Sequence, residues 1–180
     1  MQLFYATRDG QARRIAERIA SRLAERGIPS APHDLATALP DPQRLVQARL
    51  AAIVVAVRYG RHLPEGEAFL ALYRALSAPP PLVLLSVNLT ARKPGKDTAE
   101  GSAYLRKSIA RHHLAPAIAL AFPGRLDYSR YGWLDRHLIR FIMMLTGGPT
   151  DLATRLEYTQ WNVVDDVAGR IAELYGRVPS

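Results

Sequence analysis

The sequence predicts an α/β fold with a parallel sheet covered by helices on both faces. Residues 51–57 (Ala-Ala-Ile-Val-Val-Ala-Val), 82–87 (Leu-Val-Leu-Leu-Ser-Val) and 117–122 (Ala-Ile-Ala-Leu-Ala-Phe) are apolar runs without alternation. Such runs mark strands buried on both sides, because a strand with one wet face alternates apolar and polar residues. Between them lie segments whose apolar residues recur at helical spacing, and strand-helix alternation of this kind gives right-handed parallel crossovers.

The first strand is the brief apolar run at 3–6. A helix over 10–27 follows, with Ala12, Ile15, Ala16, Ile19, Ala20 and Leu23 on one stripe and Arg14, Glu17, Arg18, Arg22 and Glu25 off it. Gly27 is a natural stop. Residues 30–50 are poor in apolar side chains and give only a weak strand and helix, and the Pro-rich stretches at 29–42 and 79–81 read as loops. Helices at 67–76, 98–113 and 162–175 complete the alternation. One segment stands outside it. Residues 127–150 form an insertion whose middle is helical by period, with Leu134, Leu138, Phe141, Ile142 and Leu145 on one stripe, Arg136 and Arg140 one turn apart on another face, and Gly147-Gly148-Pro149 at the end. The whole chain, 1–180, is read as one domain carrying this insertion.

Composition narrows the function classes. The 180 residues suit one core. The absence of cysteine excludes a disulfide framework, a Cys-ligated zinc site and a catalytic thiol. The 24 Lys+Arg against 16 Asp+Glu give a formal charge of +8, which suits nucleic acid, an anionic membrane surface or an acidic small molecule. No nucleic-acid motif accompanies that charge, so no nucleic-acid partner is expected. The N-terminus lacks a signal-peptide pattern and no apolar run is long enough for a membrane span, which points to the cytoplasm with at most peripheral membrane contact.

Ligands of open parallel sheets bind beyond the carboxyl ends of the strands. The loops there are 7–11 (Thr-Arg-Asp-Gly-Gln), 58–61 (Arg-Tyr-Gly-Arg), 88–94 (Asn-Leu-Thr-Ala-Arg-Lys-Pro) and 124–128 (Gly-Arg-Leu-Asp-Tyr). The first precedes a helix N-terminus, where free N–H groups and the helix dipole favour a phosphate. It is neither a Walker A loop nor a dinucleotide fingerprint, and by itself Asp-Gly there also reads as a simple helix cap. His62, His112, His113 and His137 are general-base candidates by residue type alone, and each reads as a surface or helix position. No metal site is expected.

Taken together, these loops resemble the flavodoxin-like, menaquinone-dependent protoporphyrinogen IX dehydrogenases. The resemblance rests on Ala-Thr-Arg-Asp-Gly-Gln at 6–11, Arg-Tyr-Gly at 58–60 and Ser-Val-Asn-Leu-Thr-Ala-Arg-Lys-Pro at 86–94. Within the insertion it rests on Tyr128, Arg130-Tyr131, Trp133, Asp135-Arg136, Met143, Gly147-Gly148 and Thr150-Asp151. It implies a doubly wound five-stranded parallel sheet and an FMN-dependent enzyme that passes electrons from protoporphyrinogen IX to menaquinone. Thr7, Arg8, Asp9, Gly10, Gln11 and Ala12 would hold the FMN phosphate, and Tyr59, Gly60, Ser86, Val87, Asn88 and Leu89 would flank the flavin ring. Ala6 and Ala12 stand where relatives tend to carry hydroxyl residues, which should weaken FMN by about 1 kcal/mol each.

On the insertion, Arg130, Arg136 and Arg140 could pair with substrate propionates, with Trp133 nearby, or simply solvate a helix face. Its apolar stripe suits an in-plane helix at the cytoplasmic side of an anionic inner membrane, or packing on the domain or a second subunit, a reason to expect self-association. Lys93, Lys96, Arg106, Lys107 and Arg111 form a second basic group. Two other readings use the same residues: a flavodoxin-like quinone reductase or electron carrier, and a basic membrane-binding module with a decayed flavin site.

Overall fold

The computed structural model describes residues 1–127, 144 and 155–178. Five strands run parallel: β1 (Gln2–Ala6), β2 (Pro32–Asp34), β3 (Ala51–Arg58), β5 (Leu82–Val87) and β6 (Ile118–Phe122). Their order is β2-β1-β3-β5-β6, so the two halves of the sheet wind outward from the β1–β3 pair. A two-residue strand, β4 (Arg61–His62), turns back antiparallel on the end of β3. Beyond the sheet, β7 (Arg125–Asp127) pairs antiparallel with β8 (Arg155–Glu157). Residues 128–154 connect these two strands, so β7 and β8 form the base of the insertion.

The period-two geometry of the strands assigns the core to two layers. Leu3 and Tyr5 of β1, Ala52 and Val54 of β3, and Val83 and Leu85 of β5 point to one face. There they meet Ile15, Ile19 and Leu23 of α1 (Gln11–Ala24) and Val164, Val167 and Ile171 of α5 (Trp161–Arg177). The intervening residues Phe4, Ile53, Val55, Leu82 and Leu84 point the other way. They pack on Leu45 of α2 (Pro42–Val46), Phe69, Leu70 and Tyr73 of α3 (Pro64–Arg74), and Leu105 of α4 (Ala103–His112). A sheet so covered has no polar face, which is why its central strands lack alternation.

The helices begin and end on local chemistry. Pro64 sits in the first turn of α3, where its missing N–H costs nothing; the helix thus starts three residues before the expected 67. Asp41 and Ser102 cap α2 and α4 through their side chains. The helix expected over 98–113 starts only at Ala103, because Thr98 instead bridges Leu120 of the edge strand. On the other face, Asp165 of α5 receives both Arg18 nitrogens, at 2.7 and 2.8 Å, and one from Arg22 at 3.1 Å. These contacts clamp α5 to α1 and hold the Asp165 carboxyl well below the usual range.

One close approach depends on a missing side chain. A Cβ on Gly66, in the first turn of α3, would lie 2.4 Å from Val55 Cγ2. The neighbour is a stiff β-branched side chain in the sheet, so it cannot swing away. Gly66→Ala is therefore expected to destabilise the protein by about 1–3 kcal/mol through overpacking, and Val55→Ala in the same chain should recover part of the loss. Thermal melts of the two single variants and the double would check this; a double variant whose losses simply add would contradict it.

Candidate functional site

The register of β3 with its neighbours stops the parallel strands at one level. Ala6 pairs with Val55, Val55 with Ser86, and Ser86 with Ala121. The loops that follow therefore open side by side, and they enclose a pocket lined by Thr7, Asp9, Gln11 and Ala12 at one end, and by Tyr59, Gly60, Asn88 and Leu89 at the other.

At the first end the chain turns through Gly10 (φ 83°) into α1, whose N-terminus has no side-chain cap. Thr7 Oγ1 accepts the Gly10 N–H at 3.0 Å, which folds the loop tightly and leaves the hydroxyl proton able to donate. Helix-end N–H groups without a cap make an anion site. The helix itself supplies a basic last turn but no acid in its first turn. Asp9 brings a carboxylate to this rim, and Arg58 reaches it at 3.4 Å.

The second end is an aromatic wall set on a strained turn. Arg58-Tyr59-Gly60-Arg61 is a two-residue hairpin in which both central residues have positive φ, 51° for Tyr59 and 75° for Gly60. This is the mirror-image turn that suits the twist of antiparallel strands. Tyrosine rarely occupies that region, yet the geometry leaves Tyr59 61% exposed at the pocket rim. The Arg58 guanidinium lies 5.5 Å from its ring centre.

Opposite, Asn88 caps a 3₁₀ turn (Leu89–Arg92). Its Oδ1 accepts from Ala91 N–H at 3.0 Å and from the Thr90 hydroxyl at 2.6 Å, and its Nδ2 donates to Ser86 Oγ at 3.2 Å. Behind Ser86 runs a chain of buried polar groups that the sequence pattern did not reveal. His62 is 2% exposed rather than a surface or helix residue. Its Nε2 lies 2.9 Å from Ser86 Oγ and its Nδ1 2.8 Å from Ser108 Oγ. Ser108 donates to Glu67 Oε1 at 2.6 Å, and Glu67 Oε2 meets His112 Nε2 at 2.9 Å and Arg111 at 3.1 Å. His62, 3.6 Å away, with the direct donors Ser108 and His112, holds the Glu67 carboxyl well below the usual carboxylate range, outweighing the opposing effect of burial.

The candidate residues divide accordingly. Thr7, Asp9, Gln11, Ala12, Tyr59, Gly60, Val87, Asn88 and Leu89 line the pocket. Arg8 does not; it pairs with Glu65 at 2.9 Å. Ser86 is fully buried beneath the lining. Gln11 contributes its place at the helix start, but its amide turns aside to donate to Thr159 Oγ1 at 2.8 Å and Glu157 Oε1 at 3.1 Å. Ala6 packs in the α3 layer and is not a lining residue, so a hydroxyl there would face core, whereas Ala12 does face the pocket. Arg58, Thr90, Tyr104, Gly124 and Arg125 also line it. Of these, Arg58, Thr90, Gly124 and Arg125 lie on the post-strand loops that the sequence marks, while Tyr104, on α4, had no such signal. Arg130, Trp133, Arg136, Arg140 and His137 lie outside the described residues. Among the described residues no cluster of metal-ligating side chains occurs and no helix is long and apolar enough to cross a membrane.

A family model described as "Flavodoxin domain" matches residues 2–153. The chain is 36% identical over 174 residues to protoporphyrinogen IX dehydrogenase (quinone) of Escherichia coli strain K12, covering 96% of this chain and 94% of that one. It is 33% identical over 179 residues to the enzyme of the same name from Leishmania major, covering 98% and 76%. Among solved structures, oxidised flavodoxin 1 from Bacillus cereus superposes with a TM-score of 0.56 at 10% identity, covering 99% and 98% of the two chains. That last likeness concerns the fold alone.

Glu67 and Asp165 both bind their protons more weakly in the folded chain, against ordinary values of 4.5 and 3.8. Folding therefore favours their ionised forms, and the stability they contribute is fully present above those ordinary values and lost as pH falls through the lower folded ones. The melting temperature is expected to hold from neutral pH to about 5 and to drop steadily below about 4. Glu67→Gln should melt lower at pH 7, since its amide faces the Arg111 and His112 donors, and should show a shallower acid limb. An acid limb parallel to the wild type would contradict this assignment.

Proposed function

Because the chain belongs to the flavodoxin-domain family, and within it to the protoporphyrinogen IX dehydrogenases (quinone), we propose that this oxidoreductase binds FMN between the post-strand loops and oxidises protoporphyrinogen IX, with menaquinone as acceptor. The observation that carries the reading is a single pocket with an uncapped helix N-terminus at one end and an exposed aromatic ring at the other. Those ends match the two unlike parts of FMN, a dianionic phosphate and a flat ring.

The residues present fit that group. The Thr7 hydroxyl and the N–H groups at the start of α1 would hold the phosphate through charge-assisted hydrogen bonds. With Gln11 engaged elsewhere, these donors are chiefly backbone, which supports weak retention of FMN and agrees with the loss of a hydroxyl at Ala12. The Tyr59 ring would cover one side of the flavin, and the wall of Val87, Asn88 and Leu89 would bound it opposite. The bound flavin supplies a two-electron acceptor, chemistry no side chain can provide. The polypeptide orients the reactants, with Arg58 and Arg125 at the pocket; on the insertion the sequence offers Arg130, Arg136 and Arg140, with Trp133, as candidate partners for substrate propionates. No general base is assigned. Lys93, Lys96 and Lys107 are exposed, and together with the insertion they suit peripheral contact with an anionic inner membrane at its cytoplasmic side, where quinone is reached.

Titration of the apoprotein with FMN, followed by anaerobic addition of protoporphyrinogen IX and a menaquinone analogue, tests this by porphyrin fluorescence. Porphyrin is expected only when FMN and quinone are both present. Tight FMN binding without porphyrin would redirect the reading to a quinone reductase or carrier; no FMN binding would end the enzyme reading. Tyr59→Ala should raise the FMN dissociation constant about five-fold, the equivalent of ~1 kcal/mol of lost stacking, while leaving the melting temperature of the apoprotein nearly unchanged, because the ring is exposed and packs on little.

A further inference from the structure

A buried imidazole lies two residues from the exposed turn and touches no lining surface, yet its hydrogen bonds lead directly to a pocket wall. The hydroxyl of Ser108 has one proton, and Glu67 Oε1 at 2.6 Å receives it. His62 Nδ1, 2.8 Å from the same oxygen, must then be the donor. In the neutral ring Nε2 is left as acceptor, and Ser86, 2.9 Å away, has a proton to give it. The Ser86 oxygen is thereby free to receive Asn88 Nδ2–H at 3.2 Å. Each member has one role, and they run in one direction from Asn88 to Glu67.

We propose that His62 is a positioning residue for the ligand pocket: as the neutral Nδ1–H tautomer, it fixes the Ser86 hydroxyl and through it the Asn88 amide, and so holds the 3₁₀ wall at Leu89–Arg92 in its binding geometry. The groups that set the tautomer come from three elements, Glu67 of α3, Ser108 of α4 and Ser86 of β5, with Arg111 and His112 contacting Glu67 from behind. With the tautomer reversed, Nε2–H and Asn88 Nδ2–H would both point at Ser86 Oγ, and Nδ1 would find no proton at Ser108. The Ser86 hydroxyl, with no acceptor left at the ring, would then be free to turn, and the Asn88 amide would share its oxygen with the ring N–H. A proton relay is the weaker use of these contacts, because the end at the pocket is an amide.

The inference rests on the flavin reading for its binding readout only. FMN dissociation constants are measured for the full chain, for Ser86→Ala, for His62→Leu and for the double variant. Each single change is expected to weaken FMN about ten-fold, the size of one buried hydrogen bond. The double should be no worse than the weaker single, since both act on the same contact. His62→Gln keeps one donor and one acceptor and should restore affinity to within about three-fold of the wild type. Additive losses, or unchanged FMN affinity beside a lower melting temperature, would overturn the proposal. So would a His62 ring found as the Nε2–H tautomer in ¹⁵N imidazole spectra. Should the wild-type chain take up no FMN, the flavin reading fails separately, and the Asn88 side-chain amide resonances decide this one. They are expected to be dispersed and slow to exchange in the wild type and to collapse toward free-amide positions in Ser86→Ala, a mild change that leaves His62, Ser108 and Glu67 in contact. Resonances that do not move would overturn it.

Discussion

The placement of β3 between β1 and β5 is the constraint on which the rest depends. It pairs in parallel with both, over Ala51 to Ala56 on the β5 side and Ala51 to Val55 on the β1 side. A strand held on two sides by regular ladders has no freedom of register, because a slip of one residue would exchange its two buried faces. Fixing β3 fixes the level at which the chain leaves the sheet after Ala6, Arg58 and Val87. The phosphate-type loop, the tyrosine turn and the asparagine turn are therefore neighbours by topology, although they are about fifty and thirty residues apart in sequence.

That same constraint explains where polar groups are buried. Among the described residues the buried polar side chains are Gln11, His62, Ser86, Asn88, Ser102, Ser108 and Thr159. Ser102 is a helix cap. The other six form two networks beside the pocket: His62, Ser86, Asn88 and Ser108 behind the asparagine turn, and Gln11 with Thr159 at the start of α1. A buried polar group without a partner is destabilising by about 1–3 kcal/mol, so such groups gather where they can satisfy one another. The second network ties the insertion's base to the helix that begins the pocket, because Gln11 and Arg14 both reach Glu157 of β8. Burial pushes the Glu157 carboxyl up, and the Arg14 and Gln11 hydrogen bonds more than offset it.

Much of the architecture could be read from residue order. Apolar runs such as Ala51–Val57 have one stable use in a chain of this composition, and the loops that follow them then locate the pocket from residue order alone. What escaped reading is non-local or depends on an unusual backbone. The β4 hairpin carries Tyr-Gly where Asn-Gly would announce a turn, so nothing in its composition signals positive φ at Tyr59. His62 has partners 24 and 46 residues away, and a histidine beside Arg61 gives no local sign of burial. Gln11 stands at the helix start, as residue order implies, but its side chain follows a partner 148 residues distant. Pro64 marks the start of α3 by its fixed φ, a signal that apolar periodicity does not carry.

The charge at the pocket also follows from these positions rather than from the net excess of cations. Asp9 places a negative group at the end of a helix whose own dipole favours anions, and an unpartnered carboxylate there would compete with any phosphate. Arg58, the last residue of β3, the strand that meets the loop from beside it, opposes this: it reaches Asp9 at 3.4 Å and its planar head also faces Tyr59. Such a guanidinium screens the carboxylate while adding positive potential along the aromatic wall. The two unlike ends of the pocket are thus joined by one side chain, and its position is set by the register of the central strand.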